Sequence, residues 1–274
     1  MRPLIIIIVS VLILLGCSKE ITRKNDANVI RIKGSTTMLL LTKRLAAEYM
    51  HEHPGVSIYV SGGGTSAGFK ALSEGEADIC MASRNLKPKE IQILAEKYEK
   101  VGMSFLVAKD ALSIYLNPSN QVTDLKINEL RKIFTGGINN WKKLGGRDKE
   151  IIPVVRPENS GTHEYFKQLV MENEDYTSDA VVKNTNRQML EEVTGNDGSI
   201  GYGGIAFKGF VAYAKINGIA PTEENIRNDT YPITRYLHFY TVQTPRGPAK
   251  GFINWVMSSR GQKIIREFGY ISLW

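Results

Sequence analysis

Val29-Ile30-Arg31-Ile32-Lys33-Gly34-Ser35-Thr36-Thr37-Met38 decides the reading of this chain. Residues 29–32 are strand-like, then come a glycine and three hydroxyl residues. Met38, Leu41, Leu45 and Tyr49 follow at spacings of three and four, one face of a helix. A strand that ends on small hydroxyl residues and opens a helix aims free backbone N–H groups, hydroxyls and the positive helix end at one spot.

The pattern returns twice. Val56, Ile58 and Val60 alternate along a second strand, followed by Gly62-Gly63-Gly64-Thr65-Ser66-Ala67-Gly68 and a short helix opening with Phe69 and Leu72. A strand over 151–155 ends on Arg156, ahead of Ser160-Gly161-Thr162 and a helix over 162–170. Ser and Thr are common N-caps, so one such junction says little. Three, with an arginine beside the third, point to one bound oxyanion. The rest of the chain reads as a strand over 77–82 ending at Ser83-Arg84, a helix from Pro88 to about Tyr98, strands at 101–107 and 111–116, and a helix over 127–134 stopped by Gly136-Gly137. Beyond these come a strand at 211–216, a short helix capped by Thr222, a strand at 236–242 and C-terminal helices marked by Phe252, Trp255, Ile264 and Phe268. Such alternation implies α/β architecture, mainly parallel sheets flanked by helices, with ligands at the carboxyl ends of the strands.

Residues 1–16 read as a leader. Arg2 supplies a positive start, and the apolar run from Leu4 to Leu15 is short for a membrane span of ~20 residues. A small residue before Cys17 resembles the lipobox of bacterial lipoproteins, which implies cleavage before Cys17 and acylation of its thiol. An ordinary signal peptide is the plainer alternative. Polar residues 17–28 read as the lipidated cysteine and a flexible tether. The chain carries 35 basic against 28 acidic residues, net +7, a balance suited to anions. The lysines are scattered without a basic run, which argues against nucleic acid. Cys80 sits in an apolar setting and reads as buried and inert.

A tetrahedral oxyanion taken out of water needs every oxygen bonded. Ser35, Thr36, Thr65, Ser160 and Thr162 offer hydroxyls, Gly64 and Gly161 offer open backbone, and Arg156 offers a fork that binds two oxygens. Together with Ala82-Ser83-Arg84, Leu130-Arg131-Lys132-Ile133-Phe134-Thr135-Gly136, Asn140-Trp141 and Gly198-Ser199-Ile200-Gly201-Tyr202, this set resembles the phosphate-binding lipoproteins of phosphate ABC transporters, type 2 members of the periplasmic binding protein superfamily. The resemblance implies two α/β lobes joined by two crossover strands and closing on phosphate in the cleft between them. Lobe 1 is then 29–109 plus 236–274, and lobe 2 is 110–235. It also implies phosphate contacts from Ser35, Thr36, Thr65, Ser83, Arg84, Arg156, Ser160, Gly161 and Thr162, with Ser35 preferred over its neighbours Thr37 and Ser66.

The expected partners are inorganic phosphate, an ABC transporter permease and a membrane reached through the lipid anchor. The chain is expected to be a lipid-anchored, extracytoplasmic monomer, on the periplasmic face or the cell surface, without catalytic residues, cofactor or metal. Arg84 departs from members of the family that carry an aspartate there to accept a hydrogen bond from protonated phosphate, though others read Ser-Arg; an arginine cannot accept. Asp78, Asp110, Glu158 and Asp197 are the replacement acceptors to consider. Readings that stay open are a binder of sulfate or molybdate, an extracytoplasmic phosphatase, and an adhesin or sensor on the same fold.

Overall fold

The computed structural model describes residues 26–207 and 211–274. The leader and Cys17 lie outside the described residues; of the tether, 26–28 form a single 3-10 turn. The strands are β1 (Val29–Gly34), β2 (Ser57–Ser61), β3 (Ile79–Ala82), β4 (Met103–Leu116), β5 (Asp124–Leu125), β6 (Ile152–Val155), β7 (Val181–Val182), β8 (Ser199–Gly204), β9 (Ala212–Tyr213), β10 (Lys215–Ile216) and β11 (Thr234–Thr241). The helices are α1 (Leu39–Glu52), α2 (Thr65–Glu74), α3 (Pro88–Tyr98), α4 (Ile127–Phe134), α5 (Gly161–Leu169), α6 (Asn186–Gly195), α7 (Glu223–Arg227), α8 (Gly247–Val256) and α9 (Ser259–Glu267).

One sheet runs β2-β1-β3-β11-β4-β8-β6-β7, with β9 also on β4, while β5 and β10 pair separately. β1 pairs in parallel with β2 and β3, setting Ile30 beside Ile58 and Ile32 beside Ile79. β6 pairs in parallel with β7 and β8. Between these parallel sets lie β4 and β11, antiparallel to each other and to their outer neighbours. Two large cores form beside two smaller clusters. The first gathers Ile30, Ile32, Leu41, Leu45, Tyr49, Phe239 and, from α8 and α9, Phe252 and Ile265. The second gathers Ile114, Leu130, Phe134, Trp141, Phe166 and Tyr202. The helix face formed by Met38, Leu41, Leu45 and Tyr49 is fully buried, as its spacing implies.

The structure differs from the sequence expectation at three places. The strands expected at 101–107 and 111–116 are one continuous strand. Lys109 and Asp110 interrupt the apolar pattern, yet both are buried with partners: Lys109 Nζ lies 2.7 Å from Asp229, and Asp110 pairs with Arg235. The strand expected at 211–216 splits at Ala214, because β9 pairs with β4 and β10 with β5. α6, β5, β7 and β8 have no counterpart among the expected elements; of residues 198–204, a Gly-rich turn by composition, 199–204 form the buried strand β8.

Candidate oxyanion-binding site

The three strand-to-helix junctions meet where the two cores face each other. Gly34 ends β1 at positive φ, and its Cα lies against Gly68, so the turn of the first junction and the helix of the second pack without side chains between them. Gly64 N–H donates to Gly34 O at 2.9 Å, and Ser35 N–H to Met81 O at 2.7 Å. These bonds hold the 34–37 turn, the start of α2 and the end of β3 side by side. From the other side, Ser160 caps α5, its Oγ accepting from the N–H groups of Thr162 and His163.

The halves touch. Thr37 Oγ1 lies 3.0 Å from Thr162 Oγ1. Arg156 Nη2 donates to Thr36 Oγ1 at 2.7 Å. A Cβ on Gly161 would overlap Thr65 Oγ1 and stand 2.8 Å from Ser83 Oγ, so only glycine fits there. Asn159 Nδ2 donates to Gly63 O at 3.1 Å, and Lys87 Nζ pairs with Glu164 at 2.9 Å on the rim. The expected cleft is therefore drawn shut, and a hollow of about 390 Å³ lies elsewhere, lined by residues that include Leu72, Tyr98 and Val242.

Arg156 is the electrostatic centre. It is 1% exposed. Its guanidinium donates to Lys183 O, Asn184 O, Asn186 Oδ1 and Thr36 Oγ1, all neutral acceptors. No carboxylate among the described residues pairs with it, and burial pushes its pKa down to about 10. A buried cation without a counter-ion is costly, and an anion at the same junction would relieve that cost. Ser83 Oγ is a second polar group kept for the junction: it is fully buried and has no hydrogen-bond partner. An aromatic stack of Phe134, Phe166, Tyr176 and Tyr202 backs the arginine, with Arg156 N–H donating to the Tyr202 hydroxyl at 3.3 Å.

Of the residues expected from sequence, Thr36, Thr65, Ser83, Arg156, Gly161 and Thr162 are brought together. Ser160 and Ser35 stand just behind, each with its hydroxyl accepting backbone N–H groups: Thr162 and His163 for Ser160, Thr37 for Ser35. Thr37, ranked behind Ser35 from sequence, is the one whose hydroxyl reaches across. Arg84 needs correction. Its fork is closed by Glu90, with Nη1 and Nη2 each 2.8 Å from a carboxylate oxygen, because Glu90 opens α3 on the same side of the molecule. His163 is also occupied: its Nδ1 donates to Arg156 O at 2.6 Å, and burial lowers its pKa. Of the acceptors considered, Asp78, Glu158 and Asp197 are exposed, and only Asp110 is buried beside the junction. Burial raises the Asp110 carboxyl above the usual range, against the pull of Arg235.

Arg235 is the residue that sequence reasoning missed. It is 4% exposed, donates through Nε and Nη2 to Asp110 Oδ2 at 2.9 and 2.8 Å, and through Nη1 reaches Thr162 Oγ1 at 3.1 Å. A signal existed. Asp110 and Arg235 are charges of opposite sign inside otherwise strand-like runs, and such charges must find each other once buried. Asn186, at the start of α6, gave no such signal.

Two α/β halves joined by the antiparallel pair β4 and β11, with polar donors from both halves converging at their junction, define a two-lobed solute-binding protein. The chain belongs to the PBP superfamily, whose domain model matches residues 22–260. It is 32% identical over 251 residues to the phosphate-binding protein PstS of Bacillus subtilis, covering 88% of this chain and 80% of that one. Among solved structures it is similar to a Clostridium perfringens chain with bound phosphate, at 30% identity and TM-score 0.84, covering 90% of this chain and all of that one. It is also similar to an ABC-type phosphate transport receptor from Vibrio cholerae, at 33% identity and TM-score 0.75, covering 88% and 99%.

Proposed function

We propose that this chain captures inorganic phosphate between its lobes outside the cytoplasmic membrane and delivers it to an ABC transporter permease. The observation that carries the reading is Arg156, a buried cation with only neutral partners, at a junction lined by hydroxyls from both halves. The phosphate-binding names of its relatives agree with that chemistry. In this reading Thr36, Thr37, Thr65 and Ser83 bind from lobe 1, residues 29–109 plus 236–274. Arg156, Gly161 and Thr162 bind from lobe 2, residues 110–235, with Ser35 and Ser160 shaping the two turns.

Binding without chemistry is favoured over phosphatase action. Apart from Ser83, the hydroxyls at the junction bond to guanidinium, backbone and hydroxyl groups, and the nearby imidazole is turned onto a carbonyl. Nucleophilic catalysis needs a hydroxyl within reach of a base. In this account closure on the anion creates the surface the permease reads. Cys17 carries the lipid that tethers the mature chain to the envelope, and among the described residues no helix is long and apolar enough to cross a membrane. Replacing Cys17 with serine should release the protein from the membrane fraction; retention would refute the anchor.

The functional test is calorimetry on the mature chain. Phosphate should bind at one site, and Arg156→Ala should weaken it by ~2–5 kcal/mol, the usual cost of losing one partner of a buried charged contact. Unchanged affinity in that variant would remove the assigned site.

A further inference from the structure

We propose that Arg235 is the positioning residue of the binding site: from the return strand β11 it turns the Thr162 hydroxyl into a fixed donor aimed at the bound anion. The inference rests on the phosphate-binding reading above and assigns a role to a side chain outside the three junction motifs.

A threonine hydroxyl has one proton and two acceptor positions. Left alone it rotates, and two of its three hydrogen-bonding positions present lone pairs, which an anion repels. Arg235 narrows the choice. Its Nη1 donates to Thr162 Oγ1 at 3.1 Å, so one of the two acceptor positions is filled and the proton is turned away from the guanidinium. The outward neighbour is Thr37 Oγ1 at 3.0 Å. With Thr162 as the donor of the hydroxyl pair, donation runs from guanidinium to Thr162 and on to Thr37 or to the anion, and each bond in such a chain polarises the next.

The arginine itself is held by two further partners. Asp110 Oδ2 takes Nε and Nη2, and Ser83 O lies 3.3 Å from Nη1. Arg235 and Asp110 are also direct cross-strand partners on β11 and β4. The carboxylate cancels the Arg235 charge, so this side chain orients a hydroxyl without adding net charge, while the uncompensated charge stays on Arg156. A lysine could keep the pairing with Asp110, but one ammonium cannot span Asp110, Ser83 O and Thr162 together.

The test is a double-mutant cycle read by phosphate titration. Arg235→Lys and Thr162→Val should each weaken phosphate binding by about tenfold, and the double variant should bind no worse than Thr162→Val alone, because Arg235 acts through that hydroxyl. If Arg235→Lys does not fold, Arg235→Met combined with Asp110→Asn removes both charges together and should show the same non-additivity with Thr162→Val. Losses that multiply, or Arg235→Lys binding like the parent, would overturn the assignment while leaving the phosphate reading intact. A parent chain that binds no phosphate would overturn both.

Discussion

Gly161→Ala separates closure from folding. The added Cβ would overlap Thr65 Oγ1 and stand 2.8 Å from Ser83 Oγ and 2.9 Å from Thr65 Cβ, approaches that real Cβ atoms essentially never make. Thr65 opens α2 and Ser83 follows β3, both across the junction from α5. The overlap therefore exists only when the lobes are together. Overpacking of this kind costs ~1–3 kcal/mol. If phosphate binding requires closure, that cost passes into affinity as a roughly 5- to 150-fold weakening. Within its own lobe the alanine is benign, since it is the better helix former by up to about 1 kcal/mol. The unfolding midpoint of the phosphate-free chain should hold or rise while calorimetry reports weaker binding. Small-angle scattering should show that phosphate compacts the variant less than the parent. Equal affinity and equal compaction in parent and variant would refute the claim that the two halves close around the ligand through this contact.

Arg84→Ala should act on stability rather than binding: it leaves Glu90 largely buried without its cation, costing ~3 kcal/mol in urea unfolding, with phosphate affinity within a few-fold of the parent. A loss of affinity as large as that of Arg156→Ala would return Arg84 to the site. His238 is 6% exposed, and burial lowers its pKa to about 4. The unfolded chain takes up that proton near pH 6.5 and the folded chain only near pH 4, so stability is complete above pH 6.5 and falls as pH drops toward 4. Between pH 7 and pH 4.5 the loss from this group is roughly 2–3 kcal/mol; His238→Gln should shrink the fall, and an unchanged fall would discount the group. Cys80 is fully buried with its thiol pKa raised by burial, so in a mature chain lacking Cys17 a thiol reagent should label it only on the unfolding timescale; rapid labelling of the native chain would contradict its placement.

The fold and half of the site were legible because the relevant physics is local. Alternation at Ile30 and Ile32, helical spacing from Met38 to Tyr49, and hydroxyls after each strand depend on neighbours in sequence. The resemblance to phosphate-binding lipoproteins, rather than any spacing, implied that Arg156 lies opposite the first two junctions. What sequence left dark depends on contacts between distant residues. Whether an arginine meets an anion or a carboxylate is settled by what packs beside it: Glu90 claims Arg84, Asp110 claims Arg235, and no carboxylate among the described residues claims Arg156. The choice between Ser35 and Thr37 depends on which hydroxyl the turn leaves facing out, since Ser35 Oγ accepts the Thr37 N–H. The continuous strand β4 was hidden for the same reason: its two interior charges read as a break until their partners are seen.

Co-crystallisation of the mature chain with phosphate tests the account most directly. One anion should lie where the 34–37 turn and the starts of α2 and α5 converge, with two of its oxygens taken by the Arg156 fork and the others by hydroxyls and amides from both lobes. Saturating phosphate that leaves the guanidinium of Arg156 on its present protein partners alone, with the anion elsewhere on the surface, would contradict it.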